Sequence, residues 1–153
     1  MTKLPTQRRK AAARLAIYRL EDQIGFLLRR AYQRASANLQ KRINTHGLTP
    51  PQFATLARLL ERGPLSQNLL GRLVFMEPAN IRDVVQRLDK RGLVTTGRAA
   101  EDGRMILVRL TRKGKTLVER LIPADAECTE KTLASLDSAE RKTLYELLGR
   151  LEQ

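Results

Sequence analysis

The sequence has one cysteine, one histidine and no tryptophan, and only three phenylalanines and three tyrosines. One cysteine excludes a disulfide framework within the chain. One cysteine with one histidine leaves no local zinc cluster. A glycine-rich phosphate loop is missing, and no nucleophile stands beside His46, so neither an enzyme nor a cofactor is expected. So few aromatics offer little for base stacking, which weighs against an RNA-binding module. No apolar run approaches the ~18 residues of a membrane span. The leading MTKLPTQRRK has charge but no apolar stretch after it, which argues against a secretory signal. A cytoplasmic protein with no membrane partner is expected.

Acidic side chains are also scarce, 16 against 29 basic ones, for a net charge of +13 in 153 residues. At 42% hydrophobic, the chain can still build a core. The charge is uneven. Residues 1–45 carry +9, residues 46–81 carry +1, residues 82–115 carry +6 and residues 116–153 carry −3. Two basic blocks and an acidic tail suit a surface that faces phosphates. The plain alternative is that these are the solvated faces of helices.

From Arg14 to Asn44 there is no proline, and Gly25 is the only glycine. Ile17, Leu20, Ile24, Leu27, Ala31, Ala35, Leu39 and Ile43 recur at helical steps, which predicts one long helix. Its apolar face, widened by Phe26, Leu28 and Tyr32, exceeds what a small core covers, so part of it is expected to meet another subunit. Thr49-Pro50-Pro51-Gln52 predicts a capped second helix with Phe53, Leu56, Leu59 and Leu60 inside. Ser66 can cap a short third helix bearing Leu69, Leu70 and Leu73. Glu77-Pro78 opens a fourth, with Ile81, Val84, Val85 and Leu88 buried and small or polar residues outward, and Gly92 stops it. Two short helices joined by a tight turn have the form of a helix-turn-helix. Residues 93–96 and 105–110 read as strands around an Asp-Gly turn, a hairpin with a basic tip. Thr111 can cap a fifth helix beginning near Gly114, which Pro123 should kink or break. Asp137 and Glu140 pair as a capping box for a last helix. The fold class is mainly α with a small β-hairpin wing, a winged helix-turn-helix.

The run LVTTGRAAEDGRMILVRLTRKGK (residues 93–115) resembles the wing of MarR-type transcription regulators. Asp102-Gly103-Arg104 matches the family's Asp-x-Arg motif, and Leu110-Thr111, Lys113-Gly114 and the run from Leu88 to Val94 also fit. LEDQIGFLLRRAYQR (residues 20–34) is similar to a branch that regulates aromatic-acid catabolism, nicotinate degradation included. The resemblance implies one domain over 1–153, with dimerisation helices at 15–48 and 114–153 and a DNA-binding lobe at 49–113. It further implies a homodimer on a pseudo-palindromic double-stranded DNA operator. Such a protein is a repressor released by a small aromatic or anionic effector. Some members sense peroxide through a cysteine near the start of the first helix. This chain has none there, and Cys128 reads as a packing residue.

Three kinds of DNA contact follow. Ser66, Gln67 and Asn68 open the third helix, where free N–H groups favour a phosphate, and Arg91 with Lys90 adds charge. Ala79, Asn80, Arg82, Gln86 and Arg87 lie on the outer face of the fourth helix. Arg suits guanine, Asn and Gln suit adenine, and Ala can meet a thymine methyl. Arg98 or Arg104 would enter the minor groove, with Asp102 holding Arg104. Asp83 is expected to pair with Arg87 rather than face a phosphate. Each has a plainer reading: Arg82 and Arg87 as a solvated face, Asp102 and Arg104 as a turn stabiliser. For an effector, the resemblance places a pocket where the first, second and fifth helices approach the lobe. Arg19, Gln23, His46 and Phe53 could supply a cation, donors and an aromatic wall. His46 beside Gly47 could equally be a helix-end residue. The alternative function is a sequence-independent architectural protein on DNA or RNA.

Overall fold

The computed structural model describes residues 18–98 and 105–152. Chain contacts separate a first unit ending at Arg34 from a second, Ala35–Gln153. In the first, Leu20–Asp22 form a 3-10 turn and helix α1 begins at Ile24, running to Ile43. The expected unbroken helix is therefore interrupted. Arg19 and Gln23 are both extended, with ψ of 125°. The Gln23 side chain donates to the Arg19 carbonyl at 3.2 Å, and the Gln23 carbonyl accepts from the Phe26 and Leu27 N–H groups. A polar side chain has taken a backbone acceptor here, and apolar spacing carries on regardless of that local exchange. Tyr18, Leu20, Ile24, Leu27, Leu28 and Tyr32 are all exposed.

The second unit holds the core. A 3-10 turn at Asn44–His46 closes on Gly47, whose φ is +63°. Helix α2 (Pro50–Arg62) follows, and both bonds of the Thr49–Gln52 capping box are formed. Leu65–Ser66 make a short strand β1, which periodicity did not foresee. Helix α3 (Gln67–Leu73) starts from Ser66, whose Oγ accepts from the Leu69 N–H. Helix α4 runs Pro78–Lys90. Strands β2 (Val94–Arg98) and β3 (Ile106–Leu110) pair antiparallel, Val94 opposite Leu110 and Arg98 opposite Ile106. On the other edge of β3, Leu65 pairs with Val108 and Ser66 with Leu107. The sheet order is β1-β3-β2. Two helices, a turn and a hairpin form a winged helix.

Helix α5 (Arg112–Thr132) is capped by Thr111, whose hydroxyl accepts from the Gly114 N–H. It passes through Pro123 without breaking. Pro123 is exposed, and so is Glu119, whose carbonyl loses its helical donor; water can serve that carbonyl, which lowers the cost of continuing. Residues 35–43 of α1 are tied to α5 by the Arg42–Glu127 ion pair and a 3.2 Å bond from Asn38 to Thr132. Helix α6 (Ser138–Leu151) starts from the Asp137–Glu140 capping box. Ile43, Leu48, Phe53, Leu56, Leu59, Leu70, Ile81, Val85, Leu88, Leu93, Val94, Val108, Val118 and Leu121 form one core. Cys128 is buried. Among the described residues no helix is long and apolar enough to cross a membrane.

Candidate nucleic-acid interface

Helix α4 buries Ile81, Val85 and Leu88. That spacing turns Ala79, Asn80, Arg82, Asp83, Gln86 and Arg87 outward, and all six are exposed. The helix is held close to α3 at Gly71, where an added β-carbon would lie 3.0 Å from Ile81 Cγ2. A side chain there would be tight, and Ile81 would have to give by a few tenths of an ångström. Among the described residues no ion pair joins Asp83 to Arg87, contrary to expectation.

At the start of α3, Asn68 is exposed while Ser66 and Gln67 are half-buried. The Ser66 hydroxyl caps the helix, so one of its lone pairs is already used. Arg91 has different work from the phosphate contact expected of it. Its Nη1 donates to the Gly47 carbonyl at 2.6 Å and its Nη2 to the His46 carbonyl at 2.7 Å. The fork closes the carbonyl end of the turn after α1, 44 residues away in sequence. Around it, Lys113 Nζ donates to the Arg91 carbonyl at 2.9 Å and Thr111 to the Gly92 carbonyl at 2.7 Å. Thr96 donates to Asp89 at 3.4 Å. The end of α4, the root of the wing and the start of α5 are thereby bonded together.

Arg98 ends β2 and is exposed. Asp102 and Arg104 lie outside the described residues. Sequence reasoning passed over Arg72, exposed near the end of α3, and Arg109, which stands opposite Thr95 on β3. The alternation of buried Val108 with exposed Arg109 was the signal for the latter.

Of the residues expected around an effector, Arg19 and Gln23 belong to the first unit and His46 and Phe53 to the second. Arg19 pairs with Asp22 at 3.9 Å in the first unit, and Gln23 is bonded to the Arg19 carbonyl. Phe53 is part of the core. His46 meets a residue that sequence reasoning missed: Arg120 Nη2 lies 3.2 Å from its Nδ1. Arginine only donates, so this contact requires Nδ1 as the acceptor. Arg120 also lines an open groove of about 600 Å³ along α5 with Arg112, Lys113, Thr116 and Leu117. Three cations flank this open, mostly apolar face of α5, and one of them, Lys113, is bonded to the Arg91 carbonyl.

Residues 46–105 match a family model described as the MarR family. The HTH-type transcriptional repressor NicR of Pseudomonas putida is 37% identical over 134 residues, covering 88% of this chain and 85% of that protein. A solved structure of a probable transcriptional regulator from Pseudomonas aeruginosa is 49% identical with a TM-score of 0.80. It covers 87% of this chain and 99% of its own. The structure of Bordetella bronchiseptica BpsR, a protein whose DNA binding is regulated by 6-hydroxynicotinic acid, is 35% identical with a TM-score of 0.83. It covers 89% of this chain and 97% of its own.

Proposed function

The chain belongs to the MarR family of transcription regulators, and from that premise we propose that it is a cytoplasmic repressor. It binds a pseudo-palindromic double-stranded DNA operator as a homodimer and releases it when a small aromatic or anionic effector binds. The relatives are DNA-binding regulators and not enzymes. The observation that carries the reading is the outer face of α4, where Ala79, Asn80, Arg82, Gln86 and Arg87 are exposed above a fully apolar inner face. A helix held rigidly from behind and polar in front can present its side chains to base edges in the major groove. Asn68 and the start of α3 would lie on the phosphates, and the wing carrying Arg98, with Arg104 and its partner Asp102, would reach the minor groove.

As the effector site we take His46 and Arg120, beside the cationic face of α5; their 3.2 Å contact supports that reading. An aromatic carboxylate there would compete for Arg120 and disturb the turn that Arg91 holds. That links the site to the end of α4 through a single side chain. The regulation of BpsR by 6-hydroxynicotinic acid supports this ligand class.

The test is binding to a duplex that the wild-type protein enriches from a randomised pool, compared with an unselected duplex. Arg82→Ala should lose about 1–3 kcal/mol on the enriched duplex and relax preference at one base pair. Wild-type affinity and selectivity in that variant would remove α4 from base reading. Equal affinity of the wild type for both duplexes would favour an architectural role. Calorimetry of Arg120→Ala and His46→Ala against a panel of aromatic acids tests the effector site. Unchanged affinity in both would remove it.

A further inference from the structure

Phe75 has no part in the DNA contacts described so far. It stands in the turn between α3 and α4, is 85% exposed, and has a φ of +54°. Among the described residues it is the only non-glycine with positive φ. The turn ends α3 with the paired bonds of a Schellman motif. The Phe75 N–H donates to the Arg72 carbonyl at 3.2 Å and the Met76 N–H to the Gly71 carbonyl at 2.9 Å. Glycine is favoured where Phe75 sits, because left-handed backbone crowds a β-carbon. Phenylalanine is disfavoured twice over, by strained backbone and by a ring left in water. Its neighbours Val74 and Met76 pack against the core, so the ring gains no burial in exchange. A strained residue that its own fold does not use points to a use outside the fold.

The place of Phe75 indicates that use. It lies three residues before Pro78, the first residue of α4, and residues 77–80 are all exposed. The amino-terminal end of a recognition helix is the part that meets base edges. We propose that Phe75 is a DNA-contact residue whose ring covers a thymine 5-methyl group beside the bases met by Ala79 and Asn80. An apolar side chain and the thymine methyl are complementary, and covering the ring against DNA supplies the burial that the folded subunit withholds. This rests on the reading of α4 as the base-reading helix.

Phe75→Gly separates the contact from the fold, because its two effects have opposite signs. The variant should melt roughly 2–4 °C higher and bind the enriched duplex about tenfold more weakly. In a second arm, thymines of that duplex are replaced one at a time by deoxyuridine, which lacks only the methyl. One thymine in each half-site should then matter to the wild type and not to Phe75→Gly. Wild-type affinity in Phe75→Gly, or a uracil penalty that persists in it, overturns the proposal. A lower melting temperature also overturns it, since the ring would then be serving the fold. Arg82→Ala run in parallel distinguishes the two layers. If Arg82→Ala loses selectivity and Phe75→Gly loses nothing, only the role of the ring fails. If both bind like the wild type, the α4 reading fails and this inference with it.

Discussion

A methyl group at position 114 would sit 1.9 Å from the Leu93 carbonyl oxygen. The obstacle is backbone, which cannot swing aside as a long side chain can. Gly114→Ala must therefore move the start of α5 away from the root of the wing, at a cost of about 3 kcal/mol or more. Urea unfolding should show a midpoint well below wild type with a similar slope. A wild-type midpoint would mean that the close approach is not maintained. Asp125 is a second residue whose surroundings matter more than its type. Partial burial on α5 raises its carboxyl above the ordinary value of 3.8. Between those two values the folded state binds more protons than the unfolded one, so stability falls as pH rises through the interval. At neutral pH the buried charge is a standing cost. Asp125→Asn should raise the melting temperature at pH 7, and the gain should shrink as pH falls toward 3.8. A gain independent of pH would show that the charge is not its cause.

Between elements, the junction of α4, the wing and α5 depends on side chains that end on backbone carbonyls. Arg91 is the longest-range of these. Arg91→Ala leaves the Gly47 and His46 carbonyls without their charged donor, at a cost of about 1.5–3 kcal/mol. Thermal melting should report that loss. Affinity for the enriched duplex should fall less than in Arg82→Ala, because the guanidinium is occupied within the protein. The reverse ranking would return Arg91 to the phosphates. On the proposed reading, the same junction is a route from an event near His46 to the outer face of α4. The His46 carbonyl is held by Arg91 and its ring meets Arg120, so on that reading displacement of the ring contact would load the end of α4.

For the whole molecule, charge and exposed apolar surface make separate demands. A net charge of +13 draws the chain to any polyanion, and that attraction weakens steeply with added salt. On the proposed reading, selectivity comes from the outer face of α4. Apolar exposure argues for a partner copy. The first unit leaves Tyr18, Ile24, Leu27, Leu28 and Tyr32 exposed, and α6 leaves Tyr145, Leu147 and Leu151 exposed. Faces of that kind on a folded chain are association surfaces more often than wet ones. Light scattering at micromolar concentration should read a dimer. Leu147→Glu combined with Leu28→Glu should shift it to a lone subunit and abolish preference for twofold-related duplexes. A wild-type chain that scatters as a monomer would remove the dimer from the account.

Most interactions spanning four residues or fewer were legible without any structure, although the Asp83–Arg87 pair expected on the same ground is not formed. Thr49 with Gln52, Ser66 with the α3 N–H groups, and Asp137 with Glu140 start their helices as their spacing predicts. The inner face of α4 follows from its apolar period, and so does the outward face that carries the proposed base contacts. Gln23 lay within the same range, yet its break was hidden because the apolar steps continue across it. What only the folded molecule decided lies far apart in sequence: the pairing of Leu65 with Val108, the bonds of Arg91 to the turn after α1, and the meeting of Arg120 with His46. Local bonds are set by the identity of residues that are always neighbours. Distant ones exist only after packing has chosen which surfaces touch, and no periodicity records that choice.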